Sequence, residues 1–347
     1  MKGIGLVFSG GGGKGAYQIG VWKYLHELGL DQYVRSVSGT SVGALNAALF
    51  VGSDYETAEN MWLSISQDKI LSPREITSED ILKGCSGIDF RNPKLKKNFF
   101  VKTVAGIVSS PFGLAHSLLT RIRGEYFFSR EGIINMMNEC LDFTQISTSN
   151  TPCFVTCFSC DSFSVERFLI NDYTDNEIIT LLLATSAIPI IFPSEEFHGS
   201  KYYDGGIGDN VPVQPIYDTG VEYIIVVHLS RDSFVDRSKY PNATIIEIVP
   251  SEDLGNMLTG TLDFSADGAA SRMALGYEDI KKIMGPMVET IRLSVLSQQL
   301  LKVAVQQNEE FRIKKAALLH RAKMQEEKKK NDGFDSLQTK IMEEVEE

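Results

Sequence analysis

The sequence predicts an α/β fold built on a mainly parallel central sheet. Three observations point there. The chain opens on an apolar strand, a glycine loop and a helix, then repeats the pattern as strand, tight turn and helix. Four later apolar, β-branched runs supply further strands. A helical stretch lies between the first two of these and the last two, as parallel connections require.

The elements follow in order. Ile4 to Phe8 reads as a short buried strand, followed by the run Gly10 to Gly13 and then Lys14-Gly15. From Ala16 to Leu28 the apolar residues Ile19, Val21, Trp22 and Leu25 fall at helical spacing, and Gly29 suits a helix end. Val34 to Val37 reads as a second strand running into Gly39-Thr40-Ser41-Val42-Gly43, with a helix over Ala44 to Phe50. Cys153–Phe158, Val165–Ile170, Tyr223–Leu229 and Thr244–Val249 read as strands. Glu177 to Ala187 reads as a helix stopped before Pro189, and Asp263 to Met284 as another that Gly268 and Gly276 weaken.

The chain has 347 residues, 43% apolar and 23% charged, enough to build a sizeable core. Its formal charge of −11 makes it a poor general nucleic-acid binder, because neutralising phosphates needs a basic face. Five cysteines spread through a long chain show no small-loop disulfide framework, so a reducing, cytoplasmic location is expected. Cys153, Cys157 and Cys160 read as buried thiols rather than metal ligands, and no metal or cofactor is expected. The first residues form an apolar run too short and too glycine-broken for a signal peptide, and no span of about 20 residues is cleanly apolar.

Two segments stand apart. Arg91 to Arg123 holds seven basic residues and no acidic one, interleaved with Phe, Val, Ile and Leu. It suits either a membrane-facing lid or a helical cap with solvated lysines. The tail from about Met287 reads as a helical extension, with Asn331-Asp332-Gly333 expected to break it. It could serve self-association, lie on a membrane surface or act as a solvated strut. The expected division is therefore residues 1–285, with the insert near 91–123, and residues 286–347.

Gly39 to Gly43 matches Gly-x-Ser-x-Gly. A serine on a sharp strand-to-helix turn needs neighbours without side chains, and the turn lifts its Oγ above the sheet. Gly10 to Gly15 is not a P-loop, since Gly rather than Ser or Thr follows Lys14. It does satisfy Gly-x-Gly-x-x-Gly, so a dinucleotide site for an oxidoreductase is a rival. However, the second strand does not end in the acidic residue that such a site wants. As an oxyanion hole, the loop would sit beside Ser41, because adjacent parallel βα turns share one sheet edge. A serine nucleophile also needs a base. Asp204 in Tyr203-Asp204-Gly205-Gly206 is one candidate. A Ser-His-Asp esterase arrangement of Ser41, Asp204 and His228 is another, with His198 held in reserve.

Taken in order, Gly10 to Gly15, Gly39 to Gly43 and Asp204 to Gly206 resemble the motifs of the patatin-like phospholipase family, in its bacterial form. Ala184-Thr185-Ser186-Ala187-Ile188-Pro189 with Phe192-Pro193 resembles the block that precedes the family's Asp motif. The resemblance covers roughly residues 3 to 285 and departs at Ser9, where plant patatins carry Asp. It implies a three-layer α/β/α sandwich and a Ser41–Asp204 dyad without histidine. It also implies an oxyanion hole from Gly10, Gly11, Gly12, Gly13, Lys14, Gly15 and Val42. The implied activity is phospholipase A-type hydrolysis of acyl-lipid esters, and the basic, apolar insert suits contact with a peripheral membrane surface.

Overall fold

The computed structural model describes residues 3–66, 70, 129–189 and 191–345. The basic, apolar segment 91–123, and His116 within it, lie outside the described residues. The chain separates into two compact units, Met1–Ile283 and Met284–Glu347.

The first unit is a three-layer α/β/α sandwich. Its strands are β1 Ile4–Phe8, β2 Val34–Thr40, β3 Cys153–Ser159, β4 Ser164–Leu169, β5 Glu195–Phe197, β6 Ser200–Asp204, β7 Tyr223–Val227 and β8 Thr244–Ile248. They run β5-β6-β3-β2-β1-β7-β8, with β4 paired to β3 off this path. The pairs β1·β2, β1·β7, β2·β3 and β7·β8 are parallel; those of β3 with β4 and β6, and of β5 with β6, are antiparallel. Among the described residues the helices are α1 Ala16–Glu27, α2 Val42–Gly52, α3 Tyr55–Ser64, α4 Glu131–Cys140, α5 Phe143–Thr148, α6 Asp175–Thr185, α7 Val213–Asp218 and α8 Ala266–Val345.

Strand alternation sorts the core into two faces. Gly5 and Val7 of β1 point toward α7; a Cβ on Gly5 would strike Ile216. Val7 clusters there with Val213, Ile216, Ile224, Val226 and Ile245. Leu6 and Phe8, both fully buried, point to the opposite layer, where α2 packs across β1, β2 and β3.

Two differences from the sequence expectation matter. The short strands β5 and β6 go unread in sequence, being brief and partly polar, yet β6 delivers Asp204. The helix expected to end near Met284 and the break expected at 331–333 are both overridden: α8 continues through Pro286 and residues 331–333 to Val345. One Gly costs a helix only about 1 kcal/mol, so a local breaker signal need not stop it.

Gly276, which by propensity should weaken α8, is there for contact. A Cβ on it would collide with the Tyr17 carbonyl, and one on Gly20 with the Met273 carbonyl, so α1 and the start of α8 meet backbone to backbone. Tyr17 Oη donates to Asp279 Oδ2 at 3.1 Å across the same seam. Gly276→Leu is therefore expected to lower stability by at least about 2–3 kcal/mol, read as a fall in the urea midpoint; an unchanged midpoint would contradict this packing.

Candidate functional site

Ser41 sits between β2 and α2 with φ +56° and ψ −129°, a backbone conformation that a side-chain-bearing residue rarely adopts. Three glycines make the bend sterically possible. A Cβ on Gly39 would collide with Gly43, one on Gly43 with the carbonyls of Phe8 and Ser9, and one on Gly10 would sit 3.2 Å from the Ser41 Cβ. The Ser41 N–H donates to Thr185 Oγ1 at 2.9 Å, and its carbonyl accepts the N–H groups of Ala44 and Leu45. The hydroxyl thereby stands at the N-terminus of α2.

Asp204 arrives from the opposite strand direction. β6 pairs antiparallel with β3 and stops where Asp204 faces Cys157, one residue from Thr156, which is level with Thr40 of β2. A Cβ on Gly205 would strike the Thr156 carbonyl, so the chain must turn there on glycine. The side chain is completely buried. Its Oδ1 accepts the Gly206 N–H at 2.8 Å, while Oδ2 has no hydrogen-bond partner among the described residues. Burial pushes the carboxyl up to about 7, against the opposing pull of the Ser41 side chain, the Gly206 N–H and the Arg130 charge. Ser41 thus lies beside the acid, although no hydrogen bond of good geometry has closed between them. Such contacts are commonly loose without substrate.

The glycine loop separates into parts. Gly10 commits its N–H to the Asn210 carbonyl at 3.2 Å. The N–H groups of Gly11, Gly12 and Val42 donate no hydrogen bond among the described residues. Gly12, with φ +60°, lines the same cavity as Ser41 and Val42. Gly13 packs under the Asp263 carbonyl and Gly15 against Trp62 and Val42. Lys14 turns away toward Gly260, its amine pulled down by burial with Asp253 opposing. The backbone of residues 260–263 therefore covers the glycines that a dinucleotide pyrophosphate would have to approach, and the dinucleotide reading gives way. Ser9 holds the loop through its backbone: its N–H donates to Val227 and its carbonyl accepts from Gln18 Nε2 at 2.8 Å.

The histidines stand elsewhere. His228 is buried, with Nε2 on Glu247 and Nδ1 on Ser233, each at 3.0 Å. His198 is exposed and paired with Glu177, and His26 pairs with Asp31. No histidine is among the described residues lining the cavity at Ser41, so neither His228 nor His198 completes a triad there. That cavity, about 60 Å³, is walled by Leu45, Met61, Trp62, Ile133, Ile188 and Phe264 among others.

Sequence reading missed the polar residues that brace this site. Asn46 Nδ2 donates to the Gly15 carbonyl and to Gln18 Oε1, and its Oδ1 accepts from Trp62 Nε1 at 3.0 Å. Arg272 reaches the carbonyls of Gly13, Asp263 and Thr259 and the Asp263 carboxylate. A lone polar residue within an apolar helical pattern, such as Asn46 in Ala44–Phe50, was the available signal. Asn46→Ala strands the Trp62 N–H and the Gln18 Oε1, and should cost about 2–4 kcal/mol by denaturant titration; a loss under about 0.5 kcal/mol would mean that the network carries no load.

A family model described as patatin-like phospholipase matches residues 6–217. Lysophospholipase NTE1 of Scheffersomyces stipitis is 25% identical over 224 residues, 65% of this chain and 11% of the relative. Its counterpart in Candida albicans is 24% identical over 224 residues, 65% of this chain and 13% of the relative. The chain thus spans little more than a tenth of these relatives. Among solved structures, VipD from Legionella pneumophila aligns with a TM-score of 0.47 at 16% identity, covering 82% of this chain and 67% of that one. ExoU from Pseudomonas aeruginosa, solved with SpcU, aligns at 0.37 and 16% identity, covering 80% of this chain and 52% of that one. With its family model matched across more than half its length, this chain belongs to the patatin-like phospholipase family.

Proposed function

We propose that the protein is a lipid acyl hydrolase of phospholipase A type, working through Ser41 and Asp204. The observation that carries this reading is the strained serine set beside a buried carboxylate whose free oxygen has no partner, at an apolar cavity. Ser41 Oγ attacks the ester carbonyl while its proton passes to Asp204 Oδ2. The N–H groups of Gly11, Gly12 and Val42 take the developing oxyanion, with the α2 N-terminus adding its positive end. Collapse expels the alcohol, which recovers the proton from Asp204 and leaves an acyl-Ser41 ester. Water, deprotonated by Asp204, attacks that ester, and the fatty acid leaves as Asp204 returns the proton to Ser41.

A cavity of about 60 Å³ is small for an acyl chain, so such a chain enters by displacing side chains. Met61 and Met136, which line it, are unbranched and repack at low cost. The lysophospholipase names of the relatives support a phospholipid substrate, including a single-chain one. Contact with a membrane surface and self-association through α8 extend the reading. The exposed Ile291, Leu300, Leu301 and Val305 on α8 support an apolar partner. Vesicle flotation and light scattering test these extensions, and a monomer that ignores anionic and neutral vesicles alike would end them.

Ser41→Ala and Asp204→Asn should each lower fatty-acid release from mixed phospholipid vesicles and from lysophospholipid at least about 10³-fold. Asp204→Asn at near wild-type rate would remove Asp204 as base.

Asp204 acts as base only when ionised, so kcat/KM should fall about tenfold per pH unit below about 7. Stability carries the opposite sign. Because the folded acid binds its proton more tightly than the unfolded one, Asp204 stabilises at low pH, and this is lost as pH rises through about 7. Asp204→Asn should therefore melt higher than wild type near pH 8, with the gap closing toward pH 4; a constant gap would contradict the raised acid.

A further inference from the structure

We infer that Arg130 is the positioning residue of the dyad, one buried guanidinium that braces the turn holding both Ser41 and Asp204 and sets its charge against the carboxylate. The inference rests on Asp204 being the base.

The turn in question is the end of α6. Thr185 Oγ1 accepts the Ser41 N–H at 2.9 Å and donates to the Thr156 carbonyl at 2.5 Å. Two residues on, the Ala187 carbonyl accepts the Asp204 N–H at 3.0 Å. One short stretch of chain therefore grips the backbone of the nucleophile and of the acid. The last carbonyls of α6 are held locally only by the residues that close it: the Ser186 hydroxyl donates to the Leu182 carbonyl at 2.8 Å and lies 3.2 Å from that of Leu183, and the Ala187 and Ile188 N–H groups donate to the Ala184 and Ser186 carbonyls.

Arg130 adds donors from outside the helix and ties this closing turn to α4. Its Nη2 donates to the Leu183 carbonyl at 2.9 Å, and its Nη1 reaches the Ser186 Oγ at 3.3 Å and the Ser186 carbonyl at 3.5 Å. Its Nε lies 3.5 Å from Glu195 Oε1 on β5, and its guanidinium stacks 4.0 Å over the Phe192 ring. Only 11% of the side chain is exposed. The planar fork reaches the Leu183 and Ser186 carbonyls in one fixed geometry, which the compact ammonium on a lysine's flexible stem does not reproduce.

The second contribution is electrostatic. Among the described residues, Arg130 is the cation acting on Asp204, and it opposes the burial that raises the acid. From β3, the Cys157 thiol faces Asp204 and is held neutral by burial. From β5, Glu195 sits behind Arg130, its own carboxyl pushed up by burial. The elbow contributes the Ser41 hydroxyl, which carries no charge. Arg130 itself, though pulled down to about 10 by burial, stays charged at neutral pH.

The test compares wild type with Arg130→Gln, Arg130→Lys, Thr185→Val and Asp204→Asn. Each folded variant is assayed for short-chain ester kcat/KM from about pH 5 to about pH 9, with thermal melting as the folding control. Arg130→Gln should shift the acid limb upward by about one pH unit, so that the rate near pH 6 drops about tenfold beyond any loss on the plateau. Arg130→Lys should keep the limb in place while lowering the plateau about tenfold. Thr185→Val, which releases the Ser41 N–H without touching charge, should lower the plateau and leave the limb unmoved. A folded Arg130→Gln with limb and plateau both at wild-type values overturns the inference. If Arg130→Gln fails to fold, Arg130→Lys with a wild-type plateau overturns it instead. Asp204→Asn separates the two levels: its survival near wild-type rate sinks the base assignment itself, whereas an inactive Asp204→Asn beside an unaffected Arg130→Gln sinks only the role of Arg130.

Discussion

The site depends on holding one serine in a conformation that its own backbone disfavours. A φ of +56° at Ser41 costs roughly 1–3 kcal/mol, and it persists because the surroundings leave no alternative. Gly39, Gly43 and Gly10 allow chain to touch chain on three sides of the bend. Thr185 and the first turn of α2 occupy the serine's own N–H and carbonyl. With the main chain of Ser41 fully engaged, the hydroxyl is the part left to face the cavity. Those same glycines bring β1 and its loop close enough that unpaired N–H groups from two successive βα turns meet at one sheet edge.

The buried acid answers a different constraint. A carboxylate shut away from water resists ionising, yet a base must be ionised to take a proton. As the proposed base, Asp204 stands between these demands, raised by burial and partly restored by the serine, the Gly206 N–H and the Arg130 charge. A group in that position weakens the fold at neutral pH while becoming better matched to proton transfer, so stability is lost at the place where reactivity is gained. The apolar walls of the cavity serve the same end, because they keep bulk water from relaxing the carboxylate.

Topology joins these two parts. A purely parallel sheet would present every strand end at one edge, and an acid from far along the chain would come from another βα turn. Here β6 runs against β3, so Asp204 approaches from the other direction and stops opposite Cys157, one residue from the level of Thr40. The Asp-Gly-Gly turn is what ends the strand at that level, since Gly205 lies directly on the Thr156 carbonyl.

The sequence by itself determined the strands with continuous apolar, β-branched runs, from Ile4–Phe8 to Thr244–Ile248, and the two glycine motifs, because burial on both faces and absent Cβ atoms leave local marks. Family resemblance added Asp204, which as an isolated Asp-Gly turn would have passed for a loop. Only the tertiary structure decided the rest. It placed β5 and β6, whose pairing comes from neighbours rather than pattern. It carried α8 through the weak stop at 331–333, and it turned Gly276 from a helix defect into a contact. It also divided the glycine loop into N–H groups already spent and N–H groups left free, and it recruited Asn46, Thr185, Arg130 and Arg272 as braces. Those roles depend on partners tens to hundreds of residues away, and a side chain's long-range hydrogen bonds leave no periodicity in the chain that carries it.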